Sequence, residues 1–172
     1  ELAKENELIW GQLDGFNIID ANAQDGAFMS PLLFACHTPH HSNAHDLEAF
    51  GPVSTLIPYT TTEEAIELAA LGKGSLVGSI ITGSPNVARQ LTLGIAAYHG
   101  RVLVLDTACA KESTGHGSPL GHLIHGGPGR AGGSEEMGGI RGVKHYMQRT
   151  AIQGSPDMLT AITGSWMQGA KR

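Results

Sequence analysis

The chain has 172 residues, of which 41% are hydrophobic and 16% charged, and its formal net charge at pH 7 is −5. Those values are typical of a globular domain and exclude a disordered chain. Because no basic stripe is present, nucleic acid and anionic membrane are not expected partners, and no apolar run reaches the length of a membrane span. Only two cysteines are present, too few for a disulfide framework, so we expect a reducing, cytoplasmic setting.

The first 60 residues are predicted to contain one helix followed by three strands. Apolar residues at helical spacing predict a helix over residues 1–12. Three apolar runs, at residues 16–20, 27–36 and 51–59, predict strands. A polar, histidine-rich connection separates the second strand from the third.

Helices and strands alternate over the next 46 residues. Thr61 with Glu64 forms a capping-box pattern at a helix start, and Gly72 ends that helix. Further elements follow: a strand at 75–82, a helix at 86–98 and a strand at 101–106. This order predicts an α/β fold with a parallel sheet.

A glycine-rich segment then occupies residues 113–139. Glycine loses too much entropy in regular structure, so we expect a long loop there, or a disordered tail. The segment fits no phosphate-binding loop motif, and its glycines favour close passage of the backbone beside a ligand or a subunit. Residues 135–149 are predicted helical and 150–154 a short strand, and the tail from Ser155 is interpreted as a tether.

Two groups of residues are candidates for metal binding or catalysis, and each group also has a purely structural explanation. The histidines are spaced for zinc binding, but no acid or cysteine completes a ligand set, so solvated surface histidines are favoured; they are His37, His40, His41 and His45. Cys36 ends an apolar strand and is predicted to be a buried thiol. Cys109 follows a strand, near Lys111 and His116, and is a weaker candidate for a nucleophile.

Glu48 and Phe50 stand two residues apart, immediately before a Gly-Pro turn and an apolar strand. The ordinary interpretation is an acid at an element end and a core aromatic. The functional interpretation is that the carboxylate accepts both hydroxyls of a ribose, as acids do in dinucleotide sites, while the aromatic ring packs against a flat ligand ring.

Three segments make the chain resemble the aldehyde dehydrogenase superfamily. E48-A-F-G-P-V precedes a strand and a helix, and H125-G-G-P-G-R-A-G-G-S-E-E falls where the superfamily has its glycine-rich segment. V143-K-H-Y-M-Q-R-T-A-I-Q-G-S-P resembles the bifunctional phenylacetic acid degradation (PaaZ-type) branch, specifically the C-terminal part of its dehydrogenase domain.

The resemblance implies a fold and a chemistry. It implies the parallel-sheet, three-layer catalytic domain of that family, in part, with a glycine-rich loop and a terminal oligomerisation strand. A cysteine thiolate would attack a CoA-linked semialdehyde, hydride would pass to NADP or NAD, and a glutamate would activate water to release the acid. Glu48 would bind the nicotinamide ribose, and Phe50 would line the nicotinamide pocket.

The resemblance also implies that the catalytic cysteine and glutamate lie upstream of this chain, which alone is predicted inactive. Residues 1–149 would be the C-terminal portion of the catalytic domain, 150–160 the oligomerisation strand region of a homo-oligomer, and 161–172 a linker toward a hydratase-like domain. Two alternatives stay open: a CoA-semialdehyde dehydrogenase of benzoate breakdown, and a non-catalytic metal-binding or assembly module built on the histidines.

Overall fold

The computed structural model describes residues 1–116, 123, 125–132, 139–147 and 149–171. The chain divides into two compact units, Glu1–Thr60 and Thr61–Arg172. Each unit contains one three-stranded sheet. Among the residues described, no helix is both long enough and apolar enough to cross a membrane.

The sheet of the first unit is mixed. Its strands are β1 (Glu7–Trp10), β2 (Leu32–Ala35) and β3 (Val53–Leu56). The central strand β2 pairs antiparallel with β1 and parallel with β3. Leu32 and Phe34 alternate along β2 and are both buried, so one face of this short strand supplies the core of the unit.

Two sequence predictions for the first unit are wrong. Residues 1–12 form a 3₁₀ turn at Leu2–Lys4 followed by strand β1, not a helix, because pairing with β2 satisfies the β1 backbone and overrides a weak helical pattern. Residues 16–20 are not a strand, and Ile19 is largely exposed. The predicted parallel sheet is found in the second unit, whereas the sheet of the first unit also contains an antiparallel strand.

The second unit has a fully parallel sheet in the order β4-β5-β6. Its strands are β4 (Ser75–Ile81), β5 (His99–Leu105) and β6 (Ala151–Gln153). Its helices are α1 (Thr62–Leu71), α2 (Pro85–Ile95), α3 (Ile140–His145) and α4 (Pro156–Thr163). The predicted alternation of helix and strand over this region is confirmed.

The predicted cap of α1 is also confirmed. The Thr61 hydroxyl accepts a hydrogen bond from the Glu64 amide at 3.1 Å, which satisfies one of the free amides of the first turn. Gly72 follows the last residue of the helix, as predicted. The predicted helix at 86–98 is α2 continued by a 3₁₀ turn at Ala96–Tyr98.

Helices α2 and α4 pack against β5 to form the core of the second unit. Its buried members are Ile80, Ala88, Ile95, Val102, Val104, Met158 and Ile162. The tail from Ser155 is therefore not an open tether over its whole length, because α4 buries Met158 and Ile162 in this core. After α4, the Trp166 Nε1 donates to the Ala170 carbonyl at 3.3 Å.

The glycine-rich segment is described in part, since residues 117–122, 124 and 133–138 lie outside the described residues. Residues 125–132 contain no helix or strand. They pass against the turn between α1 and β4, where the Arg130 amide donates to the Lys73 carbonyl at 3.0 Å. Gly129 has φ +55°, and a Cβ there would lie 1.9 Å from the Lys73 oxygen. The glycine thus permits a close backbone approach within the chain.

Candidate functional site

Glu48 and Phe50 lie in an irregular segment just before the amino end of β3. Both side chains are exposed, and the Phe50 ring is 93% exposed. Within the described part of the chain, the Glu48 carboxylate has no hydrogen-bond partner, so both of its oxygens are available as acceptors. The acidic and the aromatic side chain thus lie in one segment, and both are exposed to solvent.

Backbone hydrogen bonds fix the turn that follows the pair. The Gly51 amide donates to the Ala49 carbonyl at 2.9 Å, and the Val53 amide donates to the Gly51 carbonyl at 2.8 Å. The Leu32 amide donates to the Pro52 carbonyl at 2.9 Å, which ties this turn to the start of β2. The turn therefore has a defined path where it enters the sheet.

A buried polar network stabilises the histidine-rich connection, and no sequence motif identifies this network. Asn6 is buried, and its side-chain amide donates to the Asn43 Oδ1 at 2.8 Å. The Ser42 hydroxyl donates to the Asn6 Oδ1 at 2.9 Å and accepts from the Ala44 amide at 3.1 Å. These bonds attach the histidine-rich connection to the first residues of the chain.

Two histidines of this connection have hydrogen-bond partners in the first unit. The His37 Nε2 lies 2.8 Å from the Glu7 Oε2, and the His45 Nε2 lies 2.5 Å from the Pro39 carbonyl oxygen. His40 and His41 are exposed. Over the described ranges, no three histidine, cysteine or acidic side chains converge on a point where a metal ion could bind.

The two cysteines have different environments. Cys36 is 1% exposed, which confirms the prediction of a buried thiol. Cys109 is partly buried, and its Sγ donates to the Val104 carbonyl at 3.5 Å. The Cys109 thiol also interacts with the Asp106 carboxylate and is one of the groups that lower the pKa of Asp106.

The carboxyl end of β5 carries a hydrogen-bonded aspartate that sequence reasoning missed. The Asp106 Oδ2 accepts from the Ser155 hydroxyl at 2.7 Å, and its Oδ1 accepts from the amides of Ala108 and Cys109 at 3.1 and 3.0 Å. These bonds, led by that from Ser155, hold the pKa of Asp106 below its ordinary value of 3.8. Asp106 therefore links the loop after β5 to the start of α4.

Together these features define a mixed α/β protein with a parallel sheet and an exposed acid–aromatic pair at the entrance to a strand. Comparison with known proteins identifies the family. The aldehyde dehydrogenase family profile matches residues 3–152, so the chain belongs to the aldehyde dehydrogenase family.

Three curated relatives match this chain over part of their own length. Protein MaoC of Klebsiella aerogenes is 56% identical over 147 residues, which is 85% of this chain and 44% of that protein. The 3,4-dehydroadipyl-CoA semialdehyde dehydrogenase of Aromatoleum evansii is 40% identical over 129 residues, 74% of this chain and 25% of that enzyme. An aldehyde dehydrogenase of Didymella fabae is 31% identical over 105 residues, 57% of this chain and 21% of that enzyme. The chain spans less than half the length of each relative.

Proposed function

We propose that this chain is the C-terminal part of an NAD(P)-dependent aldehyde dehydrogenase that oxidises a CoA-linked semialdehyde to the acid in phenylacetate degradation. The family match over residues 3–152 carries the proposal. It includes the Glu48–Val53 segment on which the cofactor site is proposed. The name of the Aromatoleum relative, a CoA-semialdehyde dehydrogenase, supports the substrate class.

In this proposal Glu48 binds the cofactor. Its exposed carboxylate, with both oxygens unused by the described chain, accepts hydrogen bonds from the two hydroxyls of the nicotinamide ribose. Phe50, 93% exposed, lines the nicotinamide pocket, where ligand contact would cover the ring. Hydrogen bonds to a charged group contribute about 1.5–3 kcal/mol each, so loss of this contact has a large effect on the position of the ring.

The first prediction is that Glu48→Gln, made in the complete dehydrogenase, lowers the rate of hydride transfer at least tenfold. An amide provides one acceptor oxygen and no charge, so the ribose is held less firmly. Single-turnover formation of reduced cofactor measures the step, and thermal unfolding measures the fold. Glu67→Gln, at an exposed glutamate of α1, is the matched control.

We expect the Glu48→Gln enzyme to unfold at the temperature of the unmodified enzyme, because the carboxylate makes no contact that the fold needs. Hydride transfer at the unmodified rate would show that Glu48 does not bind the ribose. An equal loss of rate in Glu67→Gln would also contradict the assignment.

The cofactor and the exact substrate are proposed from family resemblance. We propose NADP as the favoured acceptor and a 3-oxo-5,6-dehydrosuberyl-CoA semialdehyde as the substrate. The Aromatoleum relative supports a second candidate, the CoA semialdehyde of benzoate breakdown. Measured kcat/KM values of the complete enzyme for both semialdehydes, each with NADP and NAD, distinguish these cases.

We also propose that the nucleophilic cysteine and the general-base glutamate lie outside this chain. Burial of Cys36 and the carbonyl contact of Cys109 support that view. The same proposal assigns β6 and its flanks, residues 150–160, to subunit pairing in a cytoplasmic homo-oligomer, since β6 is an edge of its sheet in the described chain. Sedimentation of the complete enzyme tests the oligomer.

A further inference from the structure

Ser79 and Arg101 project from the side of the parallel sheet that faces away from the core of the second unit. Their strand neighbours Ile80 and Val102 belong to the core cluster. Because side chains alternate along a strand, Ser79 and Arg101 project from the opposite face. Val77 of β4 pairs with Arg101, and Ser79 follows two residues further along β4. Ser79 is exposed, so a molecule in solution can reach its hydroxyl.

The loop after β5 brings His116 back over this face. The Arg101 Nη2 donates to the His116 carbonyl at 3.1 Å, which attaches the backbone of the loop to the central strand. Gly115, immediately before it, has φ +63°, and its amide donates to the Ser113 hydroxyl at 3.1 Å. A positive φ favours glycine, so the chain turns just before His116.

The His116 ring contacts β4 at the Ser79 side chain. Its Nε2 lies 3.0 Å from the Ser79 hydroxyl oxygen, within hydrogen-bond distance. Nucleophilic serines and the bases that activate them are separated by about 2.6–3.2 Å. The exposed hydroxyl and the partly buried imidazole therefore have the separation that transfer of the serine proton to the ring requires.

The surroundings of His116 favour the uncharged ring. Burial lowers the pKa of His116 below 6.5, and the positive charge of Arg101 lowers it further, whereas a hydrogen bond with the Gly78 backbone acts in the opposite sense. At neutral pH the uncharged imidazole predominates, and one of its nitrogens has a lone pair that accepts a proton. The ring is therefore in the form that a general base needs.

We propose that Ser79 and His116 form a nucleophile–base pair that accepts an acyl group from an activated ester or thioester. The His116 Nε2 takes the hydroxyl proton while the Ser79 Oγ bonds to the acyl carbon, and the bond from that carbon to the leaving oxygen or sulfur breaks. The proton then passes from the imidazole to the leaving alcohol or thiol. Water, deprotonated by the same imidazole, hydrolyses the acyl-serine to the free acid and restores Ser79.

The inference uses residues of the second unit alone. It does not rest on the proposed role of Glu48 or on aldehyde oxidation, and it involves neither cysteine of the chain. The chain itself is therefore the material for the test.

Reaction of the chain with p-nitrophenyl acetate tests the nucleophile. We expect an acetyl group on Ser79 when the reaction is quenched in acid and the peptides are analysed by mass spectrometry. Ser79→Ala should lower the rate of p-nitrophenolate release about tenfold or more. Ser54→Ala, at an exposed serine of β3, is the matched control and should leave the release rate and the acetylation of Ser79 unchanged.

His116→Gln tests the base. Glutamine keeps a polar side chain beside Ser79 but accepts no proton at neutral pH, so acetylation of Ser79 should slow about tenfold or more. His41→Gln, at an exposed imidazole of the first unit, controls for ester hydrolysis by surface imidazoles and should leave Ser79 acetylation unchanged. Circular dichroism verifies that each variant is folded. If Ser79→Ala does not fold, His116→Gln and the peptides of the unmodified chain decide the result.

Acetyl-CoA in place of the aryl ester identifies the class of donor. Release of free CoA thiol that Ser79→Ala abolishes assigns thioesters to the pair, whereas a Ser79-dependent reaction with the aryl ester alone assigns oxygen esters. Ester hydrolysis that neither Ser79→Ala nor His116→Gln slows would overturn the proposal. Acetyl groups found only on other residues, such as Cys109 or Lys111, would overturn it as well.

Discussion

Glu48 and Arg101 show how burial sets the free-energy cost of a charged group that has no oppositely charged partner. Neither pairs with an opposite charge in the described chain, but Glu48 is exposed, whereas the Arg101 Nη1 is buried. Water satisfies the exposed carboxylate at little cost. The buried Nη1 lacks that compensation. The role of Glu48 depends on family resemblance.

At the residue scale, two histidines, the partly buried His116 and the buried His125, make stability depend on pH, because burial disfavours their charged forms. Their pKa values are lowered from 6.5 in the folded chain, so the folded state binds fewer protons than the unfolded state. The contribution is fully present above about pH 6.5 and is lost as the pH falls through the lowered values. We expect the free energy of unfolding in urea to decrease from pH 7.5 to pH 5.5.

His125→Gln should flatten this pH dependence, since a glutamine does not titrate. His41→Gln, at an exposed imidazole of the first unit, is the matched control and should keep the slope of the unmodified chain. A free energy of unfolding that stays level or rises on acidification over this range would contradict the prediction.

At the element scale, β5 shows why a glycine can be required inside a strand. The His125 ring lies over Gly100, and a Cβ there would come within 2.2 Å of it. We expect Gly100→Ala to lower the free energy of unfolding by about 2 kcal/mol through overpacking. Gly142→Ala is the control in α3, where a Cβ would meet nothing within 4 Å.

Chemical denaturation of the two variants gives the comparison. Alanine has the better helix propensity, so Gly142→Ala should match or exceed the stability of the unmodified chain. Equal stability of Gly100→Ala and the unmodified chain would show that His125 moves aside without cost.

At the scale of the whole molecule, we proposed that the catalytic cysteine and glutamate lie outside this chain. That proposal predicts that the chain alone does not oxidise aldehydes. Cys36 is buried, and the Cys109 thiol contacts the Val104 carbonyl and the Asp106 carboxylate, so both thiols have structural contacts within the fold. Reduced cofactor, followed by its absorbance with an aldehyde and NADP or NAD, should not form. Turnover abolished by Cys109→Ser would contradict the prediction and make Cys109 the nucleophile.

Local sequence was sufficient for residues 61–105 of the second unit. The Thr61 cap, the end of α1 at Gly72 and the alternation from β4 to β5 were predictable because each depends on residues close in the chain. The burial of Cys36 was predictable from the apolar run around it. The motif around Glu48 identified the family, because a motif is itself a local pattern.

Tertiary structure decided the features that depend on distant partners. Residues 7–10 became a strand because β2 lies beside them, and residues 156–163 became a packed helix because α2 and β5 offered an apolar surface. The meeting of Arg101 with His116, and of Asp106 with Ser155, also required the fold. By itself the sequence determined the family and the capped helices, whereas pairing, burial and the environment of each charge arose from contacts between residues far apart in the chain.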